Sequence, residues 1–133
     1  LLPIRSLLWR KLILKGEYTL GYLWLALAIV LELSGTISMK LSASFTRVVP
    51  SIAMFIFYGS SFTCLNFALR YMHVSVAYAV WSGIGITLIT GAGYIWFGER
   101  IPLSALLWVG VIVIGVVGLN MSISAHGAAV RGN

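Results

Sequence analysis

The 133-residue chain contains no aspartate and only three acids, Glu17, Glu32 and Glu99. Charged residues make up 9% of it, where a soluble domain carries roughly 25%. A water-soluble fold of this composition would lack the polar residues to cover its surface. The scarcity of charge, with 60% hydrophobic residues, also excludes a disordered chain. A single cysteine, Cys64, rules out an internal disulfide and any thiolate metal cluster. Neither His73 nor His126 has a metal partner in the sequence, so no metal or other cofactor is expected. With one acid inside an apolar run and no polar triad, acid–base pairs are not available within one chain and no enzyme is expected.

What remains is apolar and basic. The mean hydropathy is +1.01. The nine Lys and Arg residues give a net charge of +6. They fall between apolar runs, where they read as topology markers and lipid-headgroup contacts rather than as a nucleic-acid surface. The apolar stretches run from about Leu20 to Met39, Val48 to Leu69, Val74 to Phe97 and Leu103 to Ile123. Each is near the roughly 20 residues that cross a hydrocarbon core as a helix. In lipid a helix satisfies its own backbone hydrogen bonds, and none of these runs alternates as a barrel strand would. The predicted fold is all-α, with four transmembrane helices per subunit. The connections are short, so sequential helices are antiparallel and both termini lie on one side.

Residues 1–19 are set apart as a basic, aliphatic N-terminal extension. They read as an interfacial segment at anionic headgroups, with an added or targeting extension as the rival. Residues 20–124 are read as a four-helix transmembrane domain, and 125–133 as a C-terminal tail. With the extension counted, the side bearing the termini carries the excess of basic residues and is expected to be cytoplasmic.

Glu32 sits in the middle of the first apolar run. A charge at the bilayer centre costs about 2.5–3.5 kcal/mol on insertion scales, so such residues face a cavity or a partner. One reading is a structural glutamate, hydrogen-bonded to a neighbouring helix and kept neutral. The other is a binding site for a proton or a cation. Low dielectric favours the protonated carboxyl, whereas a bound cation favours the charged one. Proton and cation then become alternative occupants of one site, which is the physical basis of antiport. Helical spacing places Ala28, Ile29, Gly35 and Thr36 around Glu32. Three of these are small and leave room beside the carboxylate.

In the third run, Tyr78 and Trp81 are three apart and share a helix face, and aromatic faces attract organic cations. Tyr58 in the second run and Tyr22 in the first could complete an aromatic wall, although Tyr22 is equally an interfacial residue. Gly83 and Gly85 weaken the third helix locally, where a bend could let its halves move. The fourth run carries no ionisable group. Its Gly110, Gly115 and Gly118 suit tight helix contact, so it is read as the oligomerisation helix.

The segment Glu32-Leu33-Ser34-Gly35-Thr36 with Met39-Lys40, the turn Ser44-Phe45-Thr46-Arg47 with Pro50, and the run Ala77-Tyr78-Ala79-Val80-Trp81-Ser82-Gly83-Ile84-Gly85 together resemble the small multidrug resistance family. The resemblance covers about Tyr22 to Ser124. It implies an antiparallel dimer of four-helix subunits that exchanges protons for cationic substrates at the subunit interface. Glu32 would be the shared proton and substrate site. Tyr58, Tyr78 and Trp81, with Tyr22, would be the aromatic contacts, Gly83 and Gly85 the kink, and the fourth helix the dimer contact. The guanidinium-exporting branch resembles Glu-x-x-Trp; Gly35 stands there instead, which is closer to the branch exporting quaternary ammonium and aromatic cations. The stretch Glu-x-x-Gly-Thr-x-Ser-Met-Lys also resembles polyamine exporters that work as heterodimers. The expected partners are therefore an organic cation, protons, the lipid bilayer and a second subunit, identical or homologous. A non-transporting membrane regulatory subunit is the other alternative.

Overall fold

A computed structural model describes residues 2–132. Among them are four helices: α1 (Leu2–Leu41), α2 (Val48–Ala68), α3 (Val74–Trp96) and α4 (Leu103–Arg131). The chain forms two compact units that divide between His73 and Val74. The first pairs α1 with α2 and the second pairs α3 with α4. All four helices are long and apolar enough to cross a membrane.

The expected spans are all present, but the two outer helices are longer than the apolar runs. α1 does not begin near Leu20; it is continuous from Leu2. No proline occurs in residues 4–41, and the leucines and lysines before Leu20 continue a helix readily. The drop in hydropathy before Leu20 marks a change of environment, not the start of the helix. Likewise α4 runs through residues 125–131, where Ala125, Ala128 and Ala129 are strong helix formers. The cap residue Gly132 then donates its N–H to the carbonyls of Ala128 and Ala129 (3.1 and 3.3 Å).

Helix starts follow from proline. Pro50 stands in the first turn of α2, where its missing N–H costs nothing. Pro102 is the extended residue just before α4. α3 ends where Gly98 adopts a left-handed φ of +61°. That turn carries the N–H of Glu99 back to the carbonyl of Gly93 (3.0 Å).

The α1–α2 turn is unusual. Ala43, Ser44 and Phe45 all have positive φ, at 48°, 57° and 67°. Left-handed backbone costs a non-glycine residue about 1–2 kcal/mol. Local hydrogen bonds offset that cost. The Ser42 hydroxyl donates to the Met39 carbonyl (2.6 Å) and accepts from the Phe45 N–H (3.3 Å). The Thr46 hydroxyl donates to the Ala43 carbonyl (2.8 Å). The turn fixes the register in which α2 folds back on α1.

Small residues let α1 pack closely against α2 and the turn that follows it. A Cβ placed on Gly21 would lie 2.8 Å from the Tyr71 Cβ. Leu25, Ala28 and Ile29 of α1 are buried, as are Met54, Ser61, Cys64, Leu65 and Ala68 of α2. Trp24 and Phe67 add a ring contact at 4.9 Å. Within a bilayer, helices associate by this kind of packing and by hydrogen bonds, because lipid is as apolar as leucine.

Candidate functional site

The first unit builds its site on the face of α1 that meets α2. Glu32 is half-buried there. One turn before it, Ala28 is fully buried, and its carbonyl accepts a 2.6 Å hydrogen bond from the Ser61 hydroxyl. One turn after it, the ring of Tyr58 lies over Gly35, so close that an added Cβ would meet three ring carbons at 3.1–3.3 Å. The Tyr58 hydroxyl lies 2.9 Å from that of Thr36. Thr36 in turn donates to the Glu32 carbonyl (3.1 Å). With that proton committed, Tyr58 is the donor to Thr36. The chain Tyr58–Thr36–Glu32 backbone thus ties an aromatic side chain of α2 to the helical turn that carries the carboxyl.

This changes the role of the small residues. Ala28 and Gly35 do not line open space beside Glu32 within the subunit; they lie beneath Ser61 and Tyr58 and let α2 approach. A hydroxyl on one helix reaching a carbonyl opened by an alanine on the other is hard to see in a sequence. In the sequence Ser61 stands near two other hydroxyl residues, Ser60 and Thr63, inside an apolar run, and nothing singles it out. Tyr22 stands apart: it is 44% exposed, and ten residues of helix separate it from Glu32 by about 15 Å along the axis.

The second unit carries the other expected aromatic pair. Tyr78 and Trp81 meet on α3 with ring centroids 5.4 Å apart at 57°. Tyr78 is exposed and Trp81 half-buried, so the pair presents aromatic surface as well as packing on itself. α3 is continuous through Gly83 and Gly85. Gly83 is where α4 comes nearest: a Cβ there would lie 3.0 Å from a Val116 methyl. Beside this contact is a cavity of 360 Å³, lined by α3 residues including Thr87 and by α4 residues including Asn120. Gly110, Gly115 and Gly118 touch nothing within 4 Å of an added Cβ. No described residue of α4 is buried in the subunit.

Four apolar helices with a carboxyl set into one of them define a multi-pass integral membrane protein with an intramembrane ionisable site. Comparison with known proteins narrows this further. Residues 20–123 match the family model described as Small Multidrug Resistance protein. The chain is 46% identical to the membrane protein YvaE of Bacillus subtilis over 102 residues, covering 77% of this chain and 86% of that protein. It is 41% identical over 108 residues to the quaternary ammonium compound-resistance protein QacE of Escherichia coli, covering 80% of this chain and 98% of QacE. It is also 41% identical over 100 residues to the multidrug transporter EmrE of Escherichia coli, covering 75% and 91%. The chain belongs to the small multidrug resistance family, whose setting is the bacterial plasma membrane.

Proposed function

We propose that this protein is a proton-coupled antiporter that exports lipophilic or quaternary ammonium cations, with protons and substrate competing for Glu32. The observation that carries the reading is a half-buried carboxyl in the membrane-spanning part of α1, one helical turn from the Thr36–Tyr58 hydrogen bond. The names of the relatives, a multidrug transporter and a quaternary ammonium resistance protein, support the substrate class. The charged form of Glu32 suits a cation in a low-dielectric site; the protonated form suits an empty one. Binding a cation therefore expels the proton, and the proton gradient drives the exchange. Tyr58, Tyr78 and Trp81 supply aromatic faces for an organic cation.

Four helices are too few to enclose a chamber, so two subunits each contribute a Glu32. α4, with its open glycines and none of its described residues buried, is the surface suited to that dimer. A bend at Gly83 and Gly85 would let the two halves of α3 move during access to alternate sides.

The decisive variant is Glu32→Gln in detergent and in reconstituted vesicles. Proton release on adding a quaternary ammonium disappears, and so does its pH-driven uptake. Release undiminished in the variant would overturn the proposal. The Glu-x-x-Gly-Thr-x-Ser-Met-Lys stretch from Glu32 to Lys40 favours one alternative, a polyamine-exporting subunit that pairs with a homologue. Co-purification with a distinct homologue, together with uptake of a polyamine, would select it.

A further inference from the structure

The part of α1 that precedes residue 20 lies outside the family match, yet it is helical and continuous with the first span. α1 has 40 residues, about 60 Å of helix, twice the roughly 30 Å of a hydrocarbon core. The apolar run from Leu20 to Met39 alone fills that core. Residues 6–19 therefore lie beyond it, and every one of their side chains is exposed.

Their chemistry suits neither water nor a protein groove. Leu7, Leu8, Trp9, Leu12 and Ile13 are each 57–62% exposed, and all but Leu7 fall within an arc of roughly 140° on the helix, clear of Arg10, Lys11, Lys15 and Glu17. Arg10, Lys11 and Lys15 outnumber the single acid Glu17. Two copies packed along this segment would bring like charges together. A headgroup layer meets both demands: its acyl boundary takes the leucines and tryptophan, and long Lys and Arg stems reach back to phosphates. The helix also has a weak point in the right place. Gly16 touches nothing within 4 Å of an added Cβ, and glycine is a poor helix former. Three residues on, the Thr19 hydroxyl donates to the Lys15 carbonyl (2.9 Å), a bond that bends helices.

We propose that residues 6–19 are a membrane-surface anchor: α1 bends between Gly16 and Thr19, and the segment lies in the headgroup layer of a leaflet containing anionic lipid, with Arg10, Lys11 and Lys15 on its phosphates. This does not depend on the transport reading, since pH-driven uptake in the same vesicles tests that separately.

The test uses the full chain with Cys64→Ser and Leu8→Cys, the new thiol carrying an environment-sensitive fluorophore. The protein is reconstituted in phosphatidylcholine vesicles with and without phosphatidylglycerol. With the anionic lipid, brominated acyl chains quench the label and aqueous iodide does not. Changing Arg10, Lys11 and Lys15 to glutamine lowers the ratio of lipid-protected to iodide-accessible label by about fivefold per charge removed. Iodide access in both vesicle types would overturn the anchor. Equal protection in both would overturn recognition of anionic headgroups. Protection that falls as protein is diluted into more lipid would assign the segment to contact between copies instead, and overturn the proposal too.

Discussion

The α1–α2 pair and the α3–α4 pair are built from similar residues, yet only the first is finished as a packing unit. In the first, Gly21, Ala28 and Gly35 lie under Tyr71, Ser61 and Tyr58, and the hydroxyls of Ser61 and Tyr58 hydrogen-bond across the helices. In the second, α4 approaches α3 at Gly83, leaves a 360 Å³ cavity beside it and buries none of its own described residues. The same small residue therefore means different things in the two halves. In α1 it has been used to admit a neighbouring helix. In α4, Gly110, Gly115 and Gly118 meet nothing within 4 Å of an added Cβ. The carboxyl sits in the finished half, where its position is set by fixed neighbours, and the open half holds the surface proposed above for association.

This contrast can be broken by substitution. The largest effect is expected at Gly35. Gly35→Leu drives a side chain into the Tyr58 ring, and overpacking of this kind costs about 1–3 kcal/mol. Unfolding of the purified protein in mixed micelles with rising dodecyl sulphate should occur earlier, and uptake should fall at least tenfold (about 1.4 kcal/mol). Wild-type behaviour would mean that α2 does not pack as described. Gly118→Leu tests the opposite half. It should leave subunit unfolding within about 0.5 kcal/mol of wild type, while subunit association, followed by energy transfer between labelled copies, weakens. Equal damage to the subunit would show that the α4 surface is already in use.

Smaller changes sharpen the comparison. Tyr58→Phe keeps the ring over Gly35 but removes the bond to Thr36, worth about 0.6 kcal/mol on average between membrane helices. A modest loss of stability is expected with a severalfold weaker substrate affinity by calorimetry. No change in either would reduce Tyr58 to a packing residue. The least effect, and of opposite sign, is expected in the turn. Ser44 holds a φ of 57°; glycine there relieves the strain but adds freedom to the unfolded chain. Ser44→Gly should stabilise the first unit by about 0.5 kcal/mol. A loss would mean that the serine side chain contributes more than its backbone costs.

Part of the candidate site's geometry was legible in the sequence. Glu32 stood out because a carboxyl in the middle of an apolar run must be explained, and Tyr78 and Trp81 because three residues is one helical turn. Their ring contact at 5.4 Å agrees with that spacing. The partners of Glu32's neighbours were not legible. Ala28 and Gly35 looked like room beside the carboxyl because spacing along α1 contains no information about α2. Which α2 residue arrives opposite each position depends on the register, and three left-handed residues in the connecting turn decide it. Tyr22 was drawn into the aromatic wall by residue type alone; its distance along α1 sets it apart.

The four spans and their all-helical character were determined by sequence alone. Lipid offers backbone groups no water, and the length of an apolar run must match the thickness of the core. Where the helices stop was decided otherwise, by proline, glycine and local hydrogen bonds, so α1 and α4 run past their apolar limits. Only the tertiary structure decided which small residues are covered and which are open. That depends on pairwise approach within one or two ångströms, a quantity that side-chain periodicity on a single helix does not contain.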